Sequence, residues 1–157
     1  MKRRSLLSSF KYAFNGMSHA LKTQRNMKIH FVTAAAVVVV SLLLKLEVDE
    51  FLWIFLAITL VIVSETFNSF FEEFLDFVNP QYHETVKHMK DMAAGSVLTA
   101  SIFAMTVAII IFGKRFGFDL SVYASLVLFA YLFFVFIISI FIKDGKNKDK
   151  NDRPKKF

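Results

Sequence analysis

Two stretches without a single charged side chain decide what this chain can become. Residues 92–113 and 120–142 run 22 and 23 positions between charges. A helix needs about 20 apolar residues to cross a hydrocarbon core of about 30 Å, so each stretch is long enough to span a bilayer. With 55% apolar residues and 20 Phe among 157, neither a soluble globular domain nor a disordered chain fits. In lipid only helices and closed barrels satisfy the backbone. The period-two alternation of a barrel strand is absent, so the chain reads as an all-α integral membrane protein.

Four apolar segments are predicted as membrane helices, at residues 29–46, 51–78, 92–112 and 120–142. Lys45 sits near the end of the first, where it can snorkel to the headgroups. Of the 19 basic residues, seven fall in residues 1–28, two (Lys87 and Lys90) between the second and third segments, and seven from Lys143 onward. Four spans with both termini inside place 16 basic residues on the cytoplasmic side and leave Lys45, Lys114 and Arg115 outside, the positive-inside pattern. Three spans would export a tail carrying seven Lys and Arg. Ahead of the first span, Leu6, Phe10, Ala13, Phe14, Met17 and Leu21 recur at helical spacing. Together with Lys2, Arg3, Arg4, Lys11 and Lys22 they predict an amphipathic helix over 5–22 that lies in the headgroup plane, serves as a topology signal, or does both. The mixed-charge end, 143–157, is expected to be a disordered basic tail. With Phe157 as its one aromatic it offers little for stacking on bases, so no nucleic-acid partner is expected. No cysteine occurs, which excludes disulfides, thiol catalysis and Cys-ligated zinc.

The second segment changes character halfway. At about 100° per residue, Glu65, Asn68, Glu72 and Asp76 fall within an arc of about 80°. Glu73 points off this stripe and reads as a solvated or interfacial side chain, while Phe67, Phe70, Phe71 and Phe74 fill the other faces. Counting about 1.5 Å per residue from position 51, Glu65 lies within hydrocarbon and Glu72 at the cytoplasmic boundary. Asn68 and Ser69 alone would pass as interhelical glue. A carboxylate at membrane depth costs roughly 2.5–3.5 kcal/mol on insertion scales and marks function. Lys90 and Asp91 follow at the opening of the third segment. There a lysine serves either as a charge partner or as a point charge for phosphate. Ala93, Ala94, Gly95 and Ser96 let another helix approach closely. No Gly-rich phosphate loop is present, so a nucleotide site would have to be built from helix surfaces.

The order Glu65-x-x-Asn68-Ser69-x-x-Glu72-x-x-x-Asp76, then Tyr82-His83-Glu84 and Lys90-Asp91-Met92, resembles the prokaryotic diacylglycerol kinase family. Gly16 and the run Gln24-Arg25-Asn26-Met27-Lys28-Ile29-His30 resemble its Gram-positive branch, which includes undecaprenol kinases. The resemblance covers residues 5–113 and implies a lipid-kinase core over 1–113, with 114–142 as an added membrane helix. It implies a homotrimer of three-span subunits that moves the γ-phosphate of ATP to a lipid hydroxyl with Mg²⁺. On this resemblance Glu65 matches the catalytic base, Asn68 orients base or substrate, Glu72 matches a magnesium ligand and Asp76 supports them. Tyr12, Gln81, Tyr82, His83, Lys90 and Asp91 match nucleotide-contacting positions. Gln24 stands where the better-known branch has a second metal-binding carboxylate. A neutral amide is a weaker magnesium ligand, so Gln24 either contacts ATP or a metal-bound water, or another carboxylate serves. The fourth span also departs from the minimal fold, and is expected to be a lipid-facing helix without a chemical role.

The function expected is phosphorylation of undecaprenol at the cytoplasmic face of the cell membrane, with diacylglycerol as the alternative lipid. The alternative of another class is a membrane scaffold or small transporter subunit with an acidic ion path.

Overall fold

The computed structural model describes residues 6–151, and side-chain surroundings through residue 140. Five helices follow in order: α1 (Leu6–Thr23), α2 (Arg25–Leu43), α3 (Val48–Val78), α4 (Glu84–Arg115) and α5 (Ser121–Asn151). No strand occurs among the described residues. Arg25–Leu43, Val48–Val78, Glu84–Arg115 and Ser121–Ile140 are each long and apolar enough to cross a membrane. Four spans, a preceding amphipathic helix and an all-α class are what the sequence predicts.

The helices start earlier than the apolar runs that reveal them. α2 begins at Arg25, α3 at Val48 and α4 at Glu84, against expected starts at 29, 51 and 92. Hydropathy marks only the part of a helix that meets hydrocarbon, whereas the hydrogen-bonded ladder carries on into the headgroups. α5 likewise stays helical through Asn151, where a disordered tail was expected from 143. Its Lys, Asp and Asn residues tolerate a helix, and the first proline of this region is Pro154. Residues 152–157 of the expected tail lie outside the described residues, as do Lys2, Arg3 and Arg4 of the expected basic N-terminus.

Local chemistry sets the helix ends. At the start of α3 the Glu47 side chain caps the first turn while Glu50 accepts from the Glu47 backbone N–H at 3.1 Å, a reciprocal pairing that satisfies orphan donors. α3 stops at Asn79 ahead of Pro80, which lacks an N–H and cannot continue a helix. His83 opens α4, its Nδ1 accepting from the Thr85 N–H at 3.2 Å. Before α5, Asp119 accepts from both the backbone N–H and the hydroxyl of Ser121. These two bonds hold its carboxyl below the ordinary aspartate range. In the preceding turn Gly117 takes a φ of +81°, open to glycine without a steric penalty.

α3 and α4 form the central hairpin, the most extensive pairing in the molecule; α5 packs on α4, α2 on α3, and α1 touches α2 and α3. Ion pairs clamp the hairpin at both ends. Lys90 of α4 meets Asp76 of α3 at one, and Arg115 of α4 meets Glu50 and Glu47 at the other. Burial is sparse because lipid, not protein, is the surrounding solvent. Large apolar side chains such as Trp53, Phe55, Phe133 and Phe136 face outward. On α1 only Ala20 is buried, while Leu6, Phe10 and Phe14 are exposed. A helix lying in the headgroup plane leaves its apolar face to lipid in this way.

The buried positions of α3 are Ile54, Ala57, Val61, Glu65, Asn68 and Ser69. The first five step by three or four residues, so they form one continuous seam. That seam is apolar for its first half and polar for its second.

Candidate functional site

The polar half of the seam holds two of the buried side chains that demand explanation. Glu65 is 2% exposed and Asn68 4% exposed. Glu65 Oε2, Asn68 Oδ1 and the neighbouring Ser69 Oγ have no hydrogen-bond partner. A buried polar atom without a partner costs about 1–3 kcal/mol, and such atoms are few in native structures. Three on consecutive turns of one helix mark a place that is completed by something else.

Glu65 and Asn68 line a cleft of about 320 Å³ shared by three helices. α2 contributes Asn26 and His30, and α4 contributes Ala94 and Ser101. Asn26 and His30 lie four residues apart and so share a face of α2. Their spacing was legible in the sequence, but nothing in it said that this face would meet Glu65. Small residues on α4 leave the opening; a larger side chain at Ala94 would fill it. Asn68 also borders a second groove of about 540 Å³ between α3 and α4, walled by Phe67, Phe71, Phe74, Met89 and Met92. Asn68 therefore stands between the Glu65 cleft and an aromatic groove.

Toward the end of α3, Asn68 Nδ2 donates to Glu72 Oε1 at 3.2 Å. The i, i+4 spacing that put them on one face thus places them in direct contact. Asp76, a further turn on, is engaged by Lys90. Glu73 is not a solitary solvated carboxylate: Gln24 Nε2 donates to its Oε1 at 3.3 Å, and His19 Nε2 lies 3.5 Å from the same oxygen. Gln24 is the single non-helical residue between α1 and α2, with an extended backbone. Its side chain can therefore turn toward α3.

The remaining residues singled out in the sequence are spread along the same end of the hairpin. Gln81, Tyr82 and His83 form the connection from α3 to α4, and Tyr82 is 82% exposed. Asp91 is exposed on α4, and Tyr12 is exposed on α1. None of these lines the Glu65 cleft. The structure brings together Glu65, Asn68 and Glu72, and separately Asp76 with Lys90. Gln81, Tyr82, His83 and Asp91 lie at or near the α3–α4 connection, and Tyr12 on α1.

Among the described residues no three Asp, Glu, His or Cys side chains converge into a metal cage. Magnesium does not need one, since it commonly binds through one or two carboxylates plus substrate phosphates. Glu72 is a hard oxygen donor, held at one oxygen by Asn68. Asn68 Oδ1 beside it lacks a partner. This donor set fits a magnesium ion that arrives with a nucleotide.

Comparison with known proteins follows the same boundaries. The sequence profile of the family described as prokaryotic diacylglycerol kinase matches residues 11–112. A diacylglycerol kinase of Synechocystis sp. is 43% identical over 104 residues, covering 66% of this chain and 59% of the relative. An undecaprenol kinase of Bacillus subtilis is 31% identical over 104 residues, covering 66% of this chain and 85% of the relative. A diacylglycerol kinase of Escherichia coli is 26% identical over 106 residues, covering 68% and 87%. The family match ends at residue 112, within the last turn of α4, and α5 lies outside it.

Proposed function

The chain belongs to the prokaryotic diacylglycerol kinase family, and from that premise we propose that it is an ATP-dependent lipid kinase. It transfers the γ-phosphate of ATP to the hydroxyl of a membrane lipid at the cytoplasmic interface. The observation that carries this is Glu65, a carboxylate buried on the seam of α3, with Oε2 unpartnered in a cleft between α2, α3 and α4.

The residues divide the work by depth. Glu65, within the membrane, accepts the proton of the lipid hydroxyl as that oxygen attacks phosphorus, a general-base role that requires hydrogen-bond reach and the ionised carboxylate. Asn68 touches both sides of the reaction: it borders the Glu65 cleft and donates to Glu72, so it orients the base relative to the phosphates. Glu72 would hold a magnesium ion through its carboxylate, with Gln24 close to the same end of α3. The ion would supply charge neutralisation for the nucleotide phosphates. Lys90 supplies a point charge to the phosphates, and Asp76 holds it in place until they arrive. Asp91, Tyr12, Gln81, Tyr82 and His83 contact the rest of the nucleotide. The aromatic groove beside Asn68 suits a hydrocarbon chain, which supports a lipid substrate at this end of α3. Both termini are cytoplasmic, and the protein is a homotrimer in the cell membrane.

Undecaprenol is the lipid proposed, on the resemblance of Gln24 to His30 to the Gram-positive branch. The 43% identity to a protein named diacylglycerol kinase supports diacylglycerol as the second reading. Purified protein incubated with radiolabelled ATP and each lipid in turn separates them. Label entering undecaprenol faster than diacylglycerol is expected, and the reverse order makes diacylglycerol the substrate. Glu65→Gln should cut turnover at least about 10²-fold with assembly unchanged. Full activity in that variant, or no labelling of either lipid by the wild type, rejects the kinase reading as drawn and leaves a scaffold.

A further inference from the structure

We infer, resting on the kinase reading, that Glu73 is a positioning residue: through Gln24 it fixes the start of α2, and with it the α2 wall of the Glu65 cleft. Gln24 is the break between α1 and α2 and holds the N-cap position of α2, yet its side chain makes no cap bond there. Its Nε2 donates instead to Glu73 Oε1 at 3.3 Å, across 49 residues of sequence. His19 Nε2, near the end of α1, lies 3.5 Å from the same oxygen. One carboxylate oxygen of α3 thus meets both sides of the α1–α2 break.

The wall of the site hangs on this tie. Asn26 and His30 follow Gln24 on α2, and both line the Glu65 cleft. They share one helical face, so a rotation of α2 at Gln24 moves both together. Further along, α2 stands off from α3: Thr33, Ala34 and Val37 line one cavity of about 440 Å³ with Ala57, Ile58 and Val61. Met27 is buried and anchors this end of α2 by packing. An unbranched side chain of that kind adapts to more than one helix orientation, whereas a directional bond to Glu73 selects one. Because the Glu73 side chain is half exposed, the tie adds little to stability. Its effect is on where the wall stands.

Two readouts on the full-length protein in detergent micelles test this. Kinetics are measured with ATP and with undecaprenol or diacylglycerol, on assembled protein. Separately, Asn26→Cys gives a chain without other cysteines one attachment point for an environment-sensitive fluorophore on the α2 wall. Glu73→Ala should lower kcat at least about 5-fold, since small misplacements around reacting groups are costly, while the KM for ATP stays within about twofold. Glu73→Gln keeps an oxygen that accepts from Gln24 and should hold kcat within about twofold of the wild type. Gln24→Ala combined with Glu73→Ala should lower kcat no further than the more damaging single change, as residues acting through one contact do. Fluorophore emission should shift with Glu73→Ala and not with Glu73→Gln. Wild-type kcat in Glu73→Ala, equal losses in both Glu73 variants, or losses that multiply in the double variant each overturn the positioning role and leave the kinase reading standing. An unchanged emission in Glu73→Ala also overturns it. Absence of lipid phosphorylation by the wild type rejects the kinase reading instead, and emission alone then decides whether the tie places α2. Should Glu73→Ala fail to assemble, Gln24→Ala takes its place: a shifted emission supports the tie and an unshifted one overturns it.

Discussion

Lys90 and Asp76 show how a single contact can be read two ways. Their ion pair joins α4 to α3, and as a structural clamp it would be worth little, because partly exposed pairs contribute about 0–1 kcal/mol. In the proposed reaction the same lysine leaves Asp76 for the nucleotide phosphates. Lys90→Ala should therefore raise the KM for ATP about 10-fold or more, while thermal unfolding in detergent shifts by the equivalent of less than about 1 kcal/mol. A large loss of thermal stability with KM unchanged would show that the pair is only a brace. At this scale the sequence was partly legible. Helical spacing alone placed Asn68 and Glu72 on one face, and they touch. It read Glu73 as solvated or interfacial, and that side chain is half exposed; the contact with Gln24 was not readable, since angular position on one helix says nothing about which neighbour waits there. Gln24 and Glu73 meet because the α1–α2 junction is extended at Gln24, a feature without a hydropathy signature.

Among the helices, the central pair carries the site and the last carries none of it. α3 and α4 are pinned together at both ends, and each wall of the Glu65 cleft belongs to α2, α3 or α4. α5 joins from one side only, through packing on α4 and a 2.8 Å hydrogen bond between Tyr131 and Thr99. Truncation after Arg115 should consequently preserve lipid phosphorylation within about threefold, with some loss of thermal stability from the exposed α4 face. Abolished activity in a truncated protein that still assembles would give α5 a part in the chemistry. Uncharged runs made the existence of all four spans readable in advance. Their true ends were not readable, because capping by Glu47, Glu50 and His83 takes place beyond the edge of hydrocarbon, where composition no longer changes sharply.

For the molecule as a whole, the proposed assembly is a trimer. α2 packs on α3, leaving a largely apolar cavity of about 440 Å³ lined by residues of α2, α3 and α4, among them Ala34, Ala57, Ala104 and Ala108. Small side chains of this kind allow close helix approach in membranes, which supports the proposed trimer. Light scattering of the detergent-solubilised protein should give the mass of three chains. Ala104→Trp should lower it, with circular dichroism unchanged; a monomeric wild type would remove the trimer.

The seam of α3 also bears on how such a chain is made. Synthesis delivers α3 to the membrane before α4 exists, and at that moment Glu65, Asn68 and Ser69 have only α2 beside them and lack the α4 wall of their cleft. Only five residues, 79–83, separate the two helices, so the partner emerges almost at once. A nascent hairpin entering lipid as one body hides the carboxylate that a lone α3 would have to drag through it. The brevity of that connection is a condition of biogenesis as much as of architecture.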